Sequence, residues 1–265
     1  MESHRIRVGV LSYLNSQPFV HGLRRGGLER HCRVTLDTPA RLAAQLRDGR
    51  LDVALVPVAA LPHLARPRLL TEYCIGANGA VDTVLLVSDV PLSAVTRVYL
   101  DPQSQTSVAL ARLLARHRWK IAPAWVPARP GYERAIGGTA AGVVIGDRAF
   151  AIRRRFRFVY DLAQEWTSLT GLPFVFACWA ATRPLPAGFA AALNRALRGG
   201  VAARAALVPE LQARYPEADV GDYLMHKIDF RFDGRKRAAL TVFLDGVAAL
   251  GRSPPPVTGS ARTAA

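Results

Sequence analysis

The chain has 265 residues, half of them hydrophobic, and a formal charge of +15, so it can bury an ordinary core in one large or two modest domains. That charge raises nucleic acid and anionic membranes as partners. However, the cations are nearly all Arg, are scattered apart from Arg153, Arg154, Arg155 and Arg157, and do not alternate with aromatic residues as a base-stacking surface requires. The expected partner is an anionic small molecule, with no nucleic acid and no membrane, in a monomer or homodimer. Cys32, Cys74 and Cys178 are odd in number and far apart, with no metal-ligand spacing and no disulfide framework. The apolar run near the start is too short for a signal-peptide core or a membrane span, so a cytoplasmic location is expected.

Ile6 to Leu11 (IRVGVL) has the pattern of a buried parallel strand ending at Ser12. The polar loop from Tyr13 to Pro18 lies beyond its carboxyl end, where ligands sit in open α/β sheets, and Asn15 is within that loop. Strands are expected at Val34 to Leu36 and Leu51 to Pro57, with helices at Ala40 to Leu46 and Val58 to Leu64. Gly76 to Gly79 (GANG) is a turn and not a dinucleotide fingerprint. Asp82 to Ser88 reads as a strand with a hydroxyl at each end.

A second sheet is expected from Arg97 to Leu100, Ala124 to Pro127, Gly142 to Ile145 and Arg157 to Tyr160, with a helix at Ala149 to Arg155. Gly171 to Ala181 is strongly apolar and strand-like. Helices follow at Pro186 to Leu207, Leu211 to Arg214 and Asp233 to Leu250. A chain that leaves one α/β unit near Ser88, builds a second and returns near Phe174 makes two lobes joined by two crossover strands, with a ligand cleft between them. The expected division is 1–89 with 175–250 for the first lobe and 90–174 for the second. The tail, 251–265, is rich in Pro, Ser, Thr and Ala and is expected to be disordered.

One stretch carries chemistry by its composition. Leu100 to Leu110 (LDPQSQTSVAL) ends a strand, turns at Asp101 and Pro102, and becomes helical from Val108. A helix start leaves N–H groups unpaired at the positive end of its dipole, which suits an anion. Ser104, Thr106 or Ser107 could serve simply as the cap. Three hydroxyls in four positions exceed what one cap needs.

SYLNSQPF at Ser12 to Phe19, DVALVPVAAL at Asp52 to Leu61, LDPQSQTSVALARLL at Leu100 to Leu114 and EWTSLTGLPFVFACW at Glu165 to Trp179 are weak motifs singly. Their order and spacing, with YLMHKIDFRF near the end, resemble the MqnA-type chorismate dehydratases of the futalosine route to menaquinone from Ile6 to Leu250. The resemblance implies a type II periplasmic-binding-protein-like fold acting as a lyase, without metal or organic cofactor. The implied reaction removes the ring hydroxyl of chorismate as water, with a proton from the adjacent ether-bearing carbon, to give 3-[(1-carboxyvinyl)oxy]benzoate.

By motif position, Asn15 is implied as the catalytic or orienting residue beside the departing hydroxyl. An amide donates and accepts hydrogen bonds at once but is no strong base, and Asn15 can also be read as a turn-stabilising residue. Implied substrate contacts are Ser12, Tyr13, Thr83 (where relatives are expected to carry serine), Asn78 and Gly79 in a closing loop, Ser104, Thr106, Ser107 and Asp147. Asp147, Asp161 and Glu165 are the acids nearest the motif loops, and each also reads as a helix cap or ion-pair partner. The resemblance suggests that the substrate's own enolpyruvyl carboxylate takes the proton. His63, His117 and His226 fall outside the motifs, and Trp166 and Trp179 read as packing residues. Two alternatives are a 1,4-dihydroxy-6-naphthoate synthase, which shares the fold but has a different N-terminal motif, and a non-catalytic anion-binding protein, which would need export.

Overall fold

The computed structural model describes residues 5–251. It opens with β1 (Ile6–Leu11), a 3-10 turn at Leu14–Ser16, α1 (Gln17–Arg25), β2 (Cys32–Asp37), α2 (Pro39–Arg47) and β3 (Val53–Pro57). β1 pairs in parallel with β2 on one side and β3 on the other. A 3-10 turn at Val58–His63 leads to β4 (Arg68–Ala77), and residues 78–83 then carry the chain away from this sheet.

The next elements are β5 (Val84–Ser88), β6 (Arg97–Leu100), α3 (Gln105–Leu114), β7 (Ala124–Pro127), β8 (Ala140–Ile145), α4 (Ala149–Ile152), β9 (Phe158–Asp161) and α5 (Leu162–Thr170). Their strands form a five-stranded sheet in the order β7-β6-β8-β5-β9. Residues 171–173 return the chain to β10 (Phe174–Ala181), which runs antiparallel between β3 and β4. α6 (Phe189–Ala202), α7 (Arg204–Arg214), α8 (Val220–Asp222) and β11 (Asp229–Arg231) follow, and complete a six-stranded sheet in the order β11-β4-β10-β3-β1-β2. α9 (Gly234–Leu250) closes the described chain and packs across α3, with Leu113 against Gly246.

Burial explains the strand compositions. All eight residues of β10 and all five of β3 are buried, so neither shows the alternation of a half-exposed strand. In β5, Leu86 joins the large core that continues from the first sheet, whereas Leu85 and Val87 point into a smaller core with Tyr132, Ile136 and Val144. The helix starts are equally local. Pro39 opens α2, Ser104 and Asp161 cap α3 and α5 with side-chain oxygens, and Asp233 caps α9.

The structure corrects the sequence reading in several places. The strand at 84–88 pairs with β8 and β9, so it belongs to the second sheet and the division expected at 89/90 falls one strand too late. β4 runs into the GANG segment expected to be a turn. Gly76 instead lies inside the strand, where a Cβ would meet the Phe174 carbonyl oxygen at 2.8 Å. The expected long helix to Leu207 breaks at Ala203 into α6 and α7. Both sheets are mixed, since β5 and β10 run against their neighbours. Of the expected disordered tail, all but Gly251 lies outside the described residues.

Candidate functional site

Between the sheets lies a cavity of about 50 Å³. Its polar wall is made by Tyr13, Asn15, Thr83, Ser104, Thr106 and Ser107, and its apolar wall by residues including Leu11, Ile75 and Phe176. Among the described residues that line it, none carries a charged side chain. An anion in this space would be held by N–H and O–H dipoles and not by ion pairs.

The α3 end of the cavity is built from its own hydroxyls. Ser104 Oγ accepts the Ser107 N–H at 3.1 Å, which is the cap, and donates to Ser107 Oγ at 2.8 Å. Thr106 Oγ1 faces the other sheet, where it accepts the Ala59 N–H at 3.1 Å and lies 3.5 Å from the Phe176 carbonyl oxygen. The three hydroxyls therefore divide three tasks: one caps the helix, one joins the sheets, and Ser107 faces the cavity with the first turn behind it. α3 is ten residues long, so its dipole adds positive potential there.

The opposite wall is the 3-10 turn after β1. Asn15 Oδ1 accepts from Ser16 Oγ at 3.0 Å. Thr83 Oγ1 lies 2.8 Å from the Tyr223 hydroxyl. The Tyr13 hydroxyl donates to Gln103 Oε1 at 2.7 Å, which ties this turn to the start of α3. Gly146 allows that contact: its φ is +74°, and a Cβ there would stand 3.0 Å from the Tyr13 ring.

Four expected site residues do not line the cavity. Ser12 is exposed at the bend that follows β1, where its N–H continues the pairing to the Asp37 carbonyl. Asn78 lines a separate groove beside β11. Gly79, with φ at +109°, sits against Gln164 of α5. Asp147 lies next to Gly146, but its two oxygens accept the Leu14 N–H at 3.0 and 3.2 Å.

The candidate bases are all occupied by donors. Burial pushes the Asp147 carboxyl up to about 6, partly offset by the Leu14 N–H. Burial also raises Asp161 to about 6, against four backbone donors: Val81, Asp82, Ala163 and Gln164. Asp161 is thus both the α5 cap and an anchor for the first crossing. Glu165 accepts the Trp119 indole N–H at 2.7 Å and pairs with Arg118. Trp166 and Trp179 pack in the core, edge-on to Phe174 and Phe19 respectively.

The sequence reading missed two contributors. Tyr223 lies in the YLMHKIDFRF stretch, whose apolar and basic mixture gave no hint that its first residue enters the core. Asp101 looked like a turn residue, yet its buried carboxylate collects the Gln103 and Ile145 N–H groups and the Arg148 guanidinium, fixing the loop that leads into α3. A carboxylate directly before a proline at the end of an apolar strand is the one signal that could have marked it.

With this geometry in place, the comparisons with known proteins decide the family. A family model described as "Menaquinone biosynthesis" matches residues 6–249. The chain belongs to that family. A relative named chorismate dehydratase, from Thermus thermophilus, is 34% identical, with 78% of this chain and 81% of the relative aligned. In fold, this menaquinone-biosynthesis protein is similar to protein AF1704 from Archaeoglobus fulgidus, with a TM-score of 0.72 at 16% identity, covering 95% and 99% of the two chains. It is also similar to the Candida albicans CA3427 product, described as having the generic periplasmic binding protein fold, with a TM-score of 0.62 at 12% identity, covering 94% and 92%. These two likenesses establish the periplasmic-binding-protein fold for the family member described here.

Proposed function

We propose that this chain is a chorismate dehydratase, a cytoplasmic lyase that takes chorismate to 3-[(1-carboxyvinyl)oxy]benzoate for menaquinone biosynthesis. The observation that carries the reading is the convergence of Asn15, Thr83 and the Ser104–Ser107 turn on one cavity, in a chain whose relative bears that name. The substrate is a dianion, and the first turn of α3 with Ser107 offers donors for one carboxylate. Asn15 and Thr83 stand on the facing wall, where they can hydrogen-bond the ring hydroxyl as it leaves.

The elimination needs a base and an assisted leaving group. Asp147 accepts the Leu14 N–H with both oxygens, Asp161 and Glu165 are each engaged by several donors, and the side chains lining the cavity are apolar or uncharged. We therefore assign the proton to the substrate's own enolpyruvyl carboxylate. The ether-bearing carbon loses its proton to that carboxylate, the electrons form the ring double bond, and the neighbouring hydroxyl leaves with its bonding pair and takes the same proton from the carboxyl group, so that water departs and the carboxylate is regenerated. Aromatisation drives the step, so the protein contributes mainly orientation and hydrogen-bond donation. The Leu14–Asp147 and Thr106–Ala59 hydrogen bonds tie the two walls of the cavity to each other.

Incubation of the purified protein with chorismate and no added cofactor tests the reading. A product lighter by one water with a benzoate absorption supports it. Chorismate bound but unchanged would replace it with an anion-binding role.

A further inference from the structure

A helical turn opens on N–H groups with no partner of their own, and the side chain just before it ordinarily supplies an acceptor. The 3-10 turn Leu14–Ser16, which carries Asn15, follows Tyr13, and Tyr13 gives it no such cap. Asp147 takes that place from the loop between β8 and α4, with its oxygens 3.0 and 3.2 Å from the Leu14 nitrogen. The helix beside Asp147 goes without: α4 opens at Ala149 with no side-chain cap. An aspartate that could serve its own helix is turned instead towards a turn 133 residues away.

Asp147 also has a firm footing. The Gly146 N–H donates to the Thr83 carbonyl at 2.9 Å, and the Phe150 N–H to the Asp147 carbonyl at 3.2 Å. The same turn has a second tie, from the Tyr13 hydroxyl to Gln103 at 2.7 Å. Both residues that precede Asn15 are therefore held from the side of the second sheet. The Asn15 oxygen accepts the Ser16 hydroxyl, which leaves its amide N–H groups to donate. Their direction follows the backbone of the turn.

We propose that Asp147 is a positioning residue of the dehydration: by capping the 3-10 turn from the opposite sheet, it aims the Asn15 amide at the departing hydroxyl. This rests on the dehydratase reading for its chemistry, while the cap stands on the contact alone. Asp147 does not line the cavity, so it acts on the substrate through Asn15, and its effect vanishes when Asn15 is gone.

The test compares Asp147→Ala, Asp147→Asn, Asn15→Ala and the double variant Asp147→Ala with Asn15→Ala, by kcat and KM for chorismate below the melting temperature of each. Asn keeps an oxygen for the Leu14 N–H, and Ala removes it. In Asp147→Ala, kcat falls on the order of 10- to 100-fold, the scale of a displacement of about 1 Å, while KM stays within about threefold. Asp147→Asn recovers most of that loss. In the Asn15→Ala background, Asp147→Ala has no further effect. An undiminished kcat in Asp147→Ala, an Asp147→Asn as slow as Asp147→Ala, or losses that multiply in the double variant overturns the proposal. Should Asp147→Ala not fold, Asp147→Ser, whose oxygen ends one bond short of the carboxylate, takes its place under the same criteria.

The Asn15 side-chain amide signals, followed by NMR, report without turnover. Their displacement in Asp147→Ala and return in Asp147→Asn support the proposal; signals unmoved in Asp147→Ala, or equally displaced in both, overturn it. Failure of the wild-type protein to dehydrate chorismate counts against the proposed function alone, and the NMR comparison then decides whether Asp147 orients Asn15.

Discussion

The Asp147 carboxylate accepts the Leu14 backbone N–H with both oxygens, at 3.0 and 3.2 Å, and so joins the second sheet to the turn that carries Asn15. Burial raises this carboxyl from 3.8 to about 6, and does the same to Asp161. Between those values the unfolded chain is ionised while the folded chain still holds the proton. Each group's stabilising contribution is thus complete at low pH and is lost as the pH rises through about 4 to 6. Asp147→Asn abolishes that loss at one site and keeps an amide oxygen for Leu14. The melting temperature of the variant relative to wild type is expected to climb across this range and level off above it; thermal melts at a series of pH values check this, and a flat difference would refute it.

Asn15→Ala leaves the fold intact, because the side chain lines a cavity and contributes little apolar burial. Turnover of chorismate is expected to fall by a factor on the order of 100 or more, the scale for removing a donor aimed at developing charge. Melting temperature and steady-state rate, measured on the same preparation, separate the two effects. A near-normal rate would return Asn15 to a turn-stabilising role.

Two neighbouring hydroxyls should fail differently. Ser107→Ala keeps the Ser104 cap and removes one contact for the anion, so KM is expected to rise by about 3- to 10-fold, roughly 1 kcal/mol, with kcat little changed. Thr106→Val strands the Ala59 N–H between the sheets and is expected to cost about 1–3 kcal/mol of stability, seen as a lower melting temperature, while Thr106→Ser retains it. Equal behaviour of the two variants would mean that the hydroxyls do not divide their tasks.

Gly146→Ala places a methyl group 3.0 Å from the Tyr13 ring at a φ of +74°. The strain is expected to cost about 1–3 kcal/mol and to pull Tyr13 from Gln103. Chemical denaturation measures the first effect, and a raised KM reports the second. A variant as stable as wild type would show that the turn can move aside.

What the sequence showed, and what it hid, follows from the range of the interactions. Ile6 to Leu11, Leu51 to Pro57 and Arg97 to Leu100 were readable because a buried strand is a local apolar run. A cap among Ser104, Thr106 and Ser107 and the first turn of α3 were readable because capping is decided within four residues, and the structure makes Ser104 the cap. Arg68–Ala77 was not, since its first half is largely exposed and its glycine serves a strand 98 residues away, at Phe174. Tyr223 was hidden for the same reason: its partners, Thr83 and Phe150, are brought to it only by the complete fold. Asp147, Asp161 and Glu165 looked alike in the sequence, and only their bound donors distinguish an anchor from a base.

The interrupted first sheet also sets an order of assembly during synthesis. All five strands of the second sheet are free once Asp161 has left the ribosome, so that unit can close while the chain is still growing. β3 and β4 must wait, because β10 separates them and supplies a neighbour to each. Until Ala181 leaves the ribosome, two apolar strand edges stand open, and this interval is when the nascent chain is most exposed to mispairing with other chains.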